Sequence, residues 1–595
     1  MKAESEWPRR DPDSSRGQRR FLPEWLGHYH RADLPGDVIA GVIVAIMLVP
    51  QSMAYALLAG LPPQTGLYAS ILPVIVYALL GSSRVLAVGP VAMVSLLVAA
   101  GLEPLAAPGS PEYGQLALGI ALLVGIIQGA MGLLRMGFLV NFLSHSVISA
   151  FTSAAAVIIA CSQIKHLLGV RIPNTESFRV LLRELWQSLD HTNIVTLGLG
   201  GLAIVLLFYA GQRLPSQLRR WGIPASWVLP LSKGAPLGVV ILTTLLVWGL
   251  GLSERAGVSV VGAIPAGLPP LTLLGVTMPG LEMGQWGSLL PTAVAISLVG
   301  FTESYAVGQS LASKKRQQVY PDQDLIGLGA ANLAAALTGG YPVTGGISRS
   351  VVNFQAGANS GLASLITAGI LALTVVLLMP LFYFLPQATL AAIILVAVLG
   401  LVDFRPLLHS WHYDRGDAGV WAVTFVSVLL VGIEPGIGLG VVVSMLLFVW
   451  RSSRPHIAIV GRVPGTEHYR NVCRHQVLTD PQVLAVRVDE SLFFANAAYL
   501  EDFILRQIAT RPQIRHLLLI GSGVNAIDGS ALESLIRLME KLREVNVLVH
   551  LAEVKGPVMD RLQSVNFAHH LGSGQIFLST YQAMQALGSR EQEQS

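Results

Sequence analysis

Arg349 stands inside an apolar stretch, "YPVTGGISRSVVNF" at 341–354, just after Gly345, Gly346 and Ser348. A charge in such a stretch is costly and marks a functional site by default. Its planar, permanently charged fork suits oxyanions. The two glycines let backbone approach closely, and Ser348 adds a hydroxyl donor. A second stretch, "AVGPVAMVSLL" at 87–97, opens the same way with Gly89 and Pro90. If each stretch starts a helix near the middle of a membrane, the two N-termini can face one another. Free N–H groups and two positive dipole ends would then form an anion site. The plainer alternative for Arg349 is a snorkelling side chain at the membrane edge, or one paired to a carboxylate.

Glu303 sits within "ISLVGFTESYAVGQSL" and is the only carboxylate of that span. A carboxyl buried there can exchange a proton, so Glu303 is a candidate proton or cation coupling site; its alternative role is a static partner for Arg349. Gln51 and Tyr55 follow Pro50, which removes a backbone donor and can break a helix there. An amide and a phenol one turn apart can line a cavity, or simply hydrogen-bond between helices. Near the C-terminus, "GSGVNAIDGSALESL" places Asp528, Gly529 and Ser530 at a strand-to-helix junction. Asp528 or Ser530 can cap that helix, and Ser530 is also a candidate for phosphorylation.

These residues need elements to hold them, and composition says which. Of 595 residues, 52% are hydrophobic and 12% charged, with a mean hydropathy of +0.59. Soluble domains are about 25% charged, so much of this surface faces something other than water. Apolar stretches of membrane-helix type recur from 37 to 450, about fourteen in all, several of them short of the roughly 20 residues of a full span. With the N-terminus inside, the inner loops and tail hold about 18 Lys and Arg, the outer loops about five. Arg219, Arg220, Lys314, Lys315 and Arg316 are on the inner side. The Gly-Pro-led third and tenth stretches hold matching places in two halves of seven. That is the pattern of an inverted-repeat transporter with its site at the repeat interface.

The expected organisation is a polar cytoplasmic tail at 1–36, a transmembrane domain at 37–450, a polar linker at 451–480, a small α/β domain at 481–588 and a polar tail at 589–595. In the α/β domain "VLAVRVD", "HLLLIG" and "VNVLVHLA" read as strands alternating with helices. The tail lacks the short apolar core of a signal peptide. Cys161 and Cys473 cannot make a disulfide framework. His28, His30, His409 and His412 lie near loops without further ligands. There is no phosphate-binding loop, metal spacing or nucleophile arrangement, so no enzyme, cofactor or metal is expected. The net charge of +4 carries no nucleic-acid footprint.

At these residues the chain resembles the SulP family, the sulfate permease group of anion transporters and exchangers. "PPQTGLYASILPVIVYALLGSSR" at 62–84 looks like its signature segment; "GFTESYAVGQSLASKKRQQVYPDQDLIGLGAANL" and the two Gly-led stretches resemble its eighth-to-ninth, third and tenth helices. The C-terminal domain resembles a STAS domain, and the likeness runs from about 25 to 585. The resemblance implies a membrane all-α fold of two inverted seven-helix repeats, divided into core and gate domains, with a cytoplasmic α/β STAS domain. It implies homodimers and an elevator-like movement. By matched position it places substrate among Gln51, Tyr55, Ser348 and Arg349, between the N-termini of the third and tenth helices. Glu303 matches an acidic position where sodium-coupled bicarbonate members carry Asp and proton-coupled members carry Glu. Ser530 matches a serine phosphorylated in bacterial antagonists, although Gly529 departs from their doubled serine.

The function expected is proton-coupled uptake of sulfate or a similar oxyanion, with both termini cytoplasmic and a bacterial inner membrane as the location. The alternatives are a sodium-coupled bicarbonate importer or an anion exchanger on the same fold, and, from another class, a membrane-anchored STAS regulator.

Overall fold

The computed structural model describes residues 24–588 except 28, 143, 171, 173–177, 266 and 269–282. The tail up to residue 23, His28 and the tail 589–595 lie outside the described residues. The chain divides into two compact units between residues 444 and 445.

Each expected span holds a helix. In the first half they are α1 Leu34–Leu58, the pair α2 Pro63–Tyr68 and α3 Leu72–Leu80, α4 Ala92–Leu102, α5 Pro111–Leu133, α6 His145–Leu168, α7 Ile194–Gln212 and α8 Ala235–Leu250. In the second they are α9 Met283–Lys314, α10 Pro321–Leu337, α11 Ile347–Gln355, α12 Leu362–Leu377, α13 Gln387–Leu399, α14 Arg415–Leu430 and α15 Ile433–Ser452. Among the described residues, seven helical stretches are long and apolar enough to cross a bilayer unaided. The others are shorter, α4 and α11 most of all. Pro50 does not end α1, which runs through it. A membrane helix survives the one missing donor because neighbouring groups take up the freed carbonyl.

Small residues bring the helices of the first unit into backbone contact, as membrane packing favours. A Cβ on Gly66 of α2 would lie 1.9 Å from the Ser52 carbonyl oxygen of α1, and one on Gly329 of α10 would lie 2.5 Å from the Gly129 nitrogen of α5. Buried polar groups then bond across helices. Ser52 and Ser70 hydroxyls meet at 2.8 Å, and the Asn332 amide of α10 donates to Gln128 Oε1 of α5 at 3.0 Å.

The second unit is an α/β domain. After the two-residue strands β1 Val88–Gly89 and β2 Thr344–Gly345 of the first unit, this domain contributes β3 Ile457–Arg462, β4 Tyr469–Asn471, β5 Val483–Val488, β6 His516–Ile520, β7 Leu548–Ala552 and β8 Ile576–Phe577. These six form one sheet in the order β4-β3-β5-β6-β7-β8. Strands β5 to β8 run parallel, and β3 joins β5 antiparallel. Both sheet faces are covered. Leu484, Val486, Leu517 and Leu519 pack under α16 Ala497–Ala509 and α17 Gly529–Glu544, while Val483, Ala485, Leu518 and Ile520 pack under α18 Thr580–Leu587. Burial on both faces explains why these strands read as continuous apolar runs. The stretch 451–480, expected as a linker, contributes β3 and β4. The three residues of β4 are too few to show a pattern, and Pro455 and Pro464 around β3 read as loop signals.

His550 of β7 is buried beside His516 of β6. The Gln575 amide donates to His550 Nδ1 at 3.1 Å, so His550 carries its proton on Nε2 and donates it to His516 Nδ1 at 3.1 Å. Burial, and then the neighbouring His516, push the His550 pKa down to about 4. The unfolded chain therefore binds the extra proton first, and stability falls as pH drops from about 6.5 towards 4. The expected loss between pH 7 and pH 5 is on the order of 2 kcal/mol. Hydrogen-exchange protection of the β6 and β7 amides, corrected for intrinsic rates, should weaken accordingly, and His550→Gln should flatten the dependence. Protection that is equal at both pH values in the wild type would contradict this.

Candidate functional site

The two Gly-led stretches meet. Val88–Gly89 and Thr344–Gly345 form a two-residue antiparallel ladder, Val88 opposite Gly345 and Gly89 opposite Thr344. Helix α4 starts at Ala92 and α11 at Ile347, each directly after its strand, and no side chain caps either one. Antiparallel strands that each lead into a helix bring both N-termini to one ladder. Their first-turn N–H groups stay available to a ligand.

Arg349 lies against this ladder and is 2% exposed. Its Nη1 donates to the Pro90 carbonyl at 2.5 Å. Its Nε and Nη2 are buried and have no partner. Glycine makes the room: a Cβ on Gly346 would come within 2.9 Å of Arg349 Nη2, and one on Gly89 within 3.4 Å. Gly89 also has φ +153°, which disfavours side chains. Gly345 serves packing, since a Cβ there would meet Leu86 at 2.7 Å.

Three further side chains act electrostatically on Arg349: Tyr55, Tyr341 and Glu303. Glu303 Oε2 is buried without a hydrogen bond. Among the described residues no ion pair joins Glu303 to Arg349, so the acid faces the guanidinium without being clamped to it. Gln51 and Tyr55 are buried on α1, and neither side chain bonds to another described residue. Ser348 is exposed at the start of α11. Of the residues expected at the site, Gly89, Pro90, Gly345, Gly346 and Arg349 meet at the ladder, with Glu303 and Tyr55 close enough to act on Arg349; Ser348 is exposed beside them. Among the described residues no cluster of His, Cys, Asp or Glu could hold a metal ion. A cavity of about 50 Å³ lies elsewhere, inside the α/β domain, and its apolar lining by Leu500, Leu535 and Phe567 offers an anion no donor.

Residues not singled out from sequence hold the ladder in place. Ser304, next to Glu303, accepts from the Gly345 amide at 2.8 Å and meets the Thr344 hydroxyl at 2.6 Å. Thr344 in turn donates to the Gly300 carbonyl at 2.6 Å. Ser350 Oγ accepts from the Ala87 amide at 2.9 Å, Asn353 donates to the Val85 carbonyl at 3.0 Å, and Asn332 Oδ1 accepts from the Val343 amide at 2.7 Å. The strand before α11 is thus tied to the same turn of α9 that carries Glu303. Serine and threonine inside an apolar run were the signal; what they bond to is not legible from spacing.

In the α/β domain Asp528 caps α17. Its Oδ1 accepts from the Ala531 amide at 2.8 Å and its Oδ2 from the Phe494 amide at 2.9 Å. Ser530 is exposed in the first turn, its hydroxyl not used as the cap.

A multi-pass helical membrane transporter with an α/β domain after it is the class that this architecture defines. Residues 34–424 match the sulfate permease family and residues 474–583 match the STAS domain. The chain is 36% identical over 561 residues to "Sulfate transporter 4.1, chloroplastic" of Arabidopsis thaliana, covering 92% of this chain and 79% of that protein. It is 31% identical over 582 residues to "High affinity sulfate transporter 2" of Stylosanthes hamata, covering 95% and 86%. Its fold is similar to that of SLC26A9, with a TM-score of 0.86 at 25% identity, covering 95% of this chain and 92% of that one. It is also similar to the murine Slc26a9 anion transporter in its inward-facing state, with a TM-score of 0.85 at 24% identity, covering 99% and 96%. The chain belongs to the sulfate permease family; it is an anion transporter with a C-terminal STAS domain, and the family is one of transporters rather than enzymes.

Proposed function

We propose that the protein takes up sulfate, or an oxyanion like it, together with protons. The observation that carries this reading is Arg349: a buried guanidinium with two unused donors, set between two uncapped helix N-termini. Ordinary packing does not bury an arginine and leave two of its three nitrogens idle, whereas an arriving oxyanion would satisfy them. The relatives named as sulfate transporters favour sulfate among oxyanions. Gln51, Tyr55 and Ser348 would complete the anion's shell, and Glu303 would carry the proton. Sodium fits Glu303 less well. Ser304 and Thr344 have their hydroxyls engaged with protein partners, and Val307, one turn on, has no side-chain oxygen to offer.

The ladder ties substrate site and acid into one piece, which suits the elevator-like movement of a core domain against a gate, in a homodimer. Loop charge puts both termini in the cytoplasm. The relatives named above are plant proteins and lend no support to a bacterial inner membrane, so the reading keeps only the orientation.

Radiolabelled sulfate and bicarbonate uptake into proteoliposomes, with imposed proton or sodium gradients, tests this. Sulfate accumulation driven by an inward proton gradient is expected. Sodium-driven bicarbonate uptake without sulfate accumulation would replace the reading with its alternative, and transport of neither anion would favour a STAS regulator.

Regulation belongs at Ser530. A phosphate there would meet the favourable end of the α17 dipole, so the helix should survive it. Ser530→Asp is expected to change the uptake rate severalfold and leave substrate affinity unchanged. Equal rates for Ser530→Asp, Ser530→Ala and wild type would remove the regulatory role.

A further inference from the structure

We propose that Asp324 of α10 is a second proton-carrying carboxyl, placed between Glu303 and the cytoplasmic ends of α9 and α10. The inference rests on the proton-coupled reading above.

Asp324 is fully buried. All its hydrogen bonds fall on one oxygen: Oδ1 accepts from the Tyr77 hydroxyl at 3.0 Å, the Ser82 amide at 2.8 Å and the Ser82 hydroxyl at 2.8 Å. Oδ2 is buried with no partner at all. Among the described residues no cation is paired with it. An ionised carboxylate would thus be held by three donors yet lack a counter-ion, while a neutral carboxyl would keep the same three bonds and carry its proton on Oδ2. Both states are tolerated with one geometry, which is what a group that gains and loses a proton without repacking requires.

Its surroundings point the same way. From α3 and the turn after it come Tyr77, Ser82 and Ser83. From α9 comes Gly308, whose added Cβ would lie 3.9 Å from Oδ2, with Tyr305 near enough to feel the charge. From α5, Gly132 meets α10 at Ile326 and the Asp322 carbonyl rather than at Asp324; the titratable residues of that helix, Glu112 and Tyr113, are at its other end. The turn before α6 brings the Gly137 amide, which is bonded to Asp322 instead. Gly308 lies five residues beyond Glu303 on α9, a rise of about 7.5 Å, towards the Lys314, Lys315 and Arg316 end. On the far side, Ser82 Oγ links Asp324 to the half-exposed Tyr320, whose amide donates to it at 3.0 Å. The acid therefore lies further along α9 than Glu303, towards Lys314, Lys315 and Arg316, with Ser82 between it and the Tyr320 backbone; five residues also turn a helix by about 140°, so the two carboxyls do not share a face of α9. A proton taken up on Oδ2 leaves from Oδ2, and the bonds that Tyr77 and Ser82 donate to Oδ1 need not change.

The test uses the full chain in proteoliposomes, with sulfate as substrate. Wild type, E303Q, D324N and D324E are compared for proton-driven accumulation and for sulfate–sulfate exchange at equal pH. D324N is expected to lose at least tenfold in accumulation and to keep exchange within twofold, and D324E to recover most of the accumulation. Wild-type accumulation in D324N overturns the proposal, and so does an equal loss of both activities in D324N that D324E does not rescue, which marks a structural brace. If D324N does not fold, S82A decides. Removing one donor to the ionised form should move the pH midpoint of uptake to higher pH, and an unmoved midpoint overturns the proposal. E303Q separates the two levels. If E303Q stays coupled, proton symport through Glu303 fails and this inference falls with it; if E303Q uncouples and D324N does not, only the second acid fails.

Discussion

Arg349→Ala is expected to weaken sulfate binding by about a hundredfold or more, corresponding to roughly 3 kcal/mol of charge-assisted hydrogen bonding, while the protein still inserts and folds. The fold should tolerate the change because little of the lattice depends on the guanidinium. Its one protein bond is to the Pro90 carbonyl, and the ladder is held by Ser304, Thr344, Ser350 and Asn332. Removing the side chain also removes a buried charge with two idle donors. Binding should suffer because the helix dipoles alone contribute only about 0.3–1 kcal/mol each at exposed sites. Arg349→Lys would retain a charge and lose the fork, so an intermediate affinity is expected. Binding measured by calorimetry or scintillation proximity on detergent-purified protein checks both. Wild-type affinity in a folded Arg349→Ala would remove this site.

Glu303→Gln is expected to abolish uphill sulfate accumulation and to spare exchange down an anion gradient. The amide keeps the shape and the polarity of the carboxyl. It cannot titrate, and it brings no charge to bear on Arg349. Because Ser304 rather than Glu303 bonds the ladder, the substrate site should keep its form, and affinity should change far less than in Arg349→Ala. The measurement is accumulation under an inward proton gradient set beside counterflow in the same vesicles. Accumulation at the wild-type rate would show that another group, or no proton at all, drives transport. Loss of both activities would instead indicate that the carboxyl shapes the anion site.

The two effects can be kept apart because of how the site is joined. Arg349 approaches the ladder from α11, Glu303 from α9, and between them run Thr344 and Gly345, bonded to Ser304. A change in Glu303 can reach the substrate strand through one residue. That is a short route for energetic coupling, and it contains no direct ion pair that would fix the two charges together.

Several local readings were overruled, each for a definite reason. Pro50 reads as a helix breaker, yet α1 continues through it, as membrane helices tolerate an internal proline. Ser530 and Asp528 are equally good caps by residue type, and the choice fell to Asp528 because the Phe494 amide also lies within its reach. The stretch before residue 481 reads as a linker, whereas 457–462 pairs with β5. A six-residue, mostly apolar run between Pro455 and Pro464 fits loop or strand equally well, and the pairing with β5 decides between them.

From the sequence by itself came the membrane class, the positions of the spans, the matched Gly-led stretches and the charged residues within them. Those follow from composition and from one-dimensional spacing, because burial in a bilayer forces long apolar runs and makes every exception conspicuous. Tertiary structure alone decided which exceptions are satisfied. Asn332, Ser304 and Thr344 turned out fully bonded and hold the ladder, whereas Arg349, Glu303 and Asp324 kept buried atoms without partners. Hydrogen-bond satisfaction depends on residues far apart in the chain, such as Arg349 and Pro90, 259 positions apart. No local pattern encodes a contact of that range; it exists only once the helices have packed.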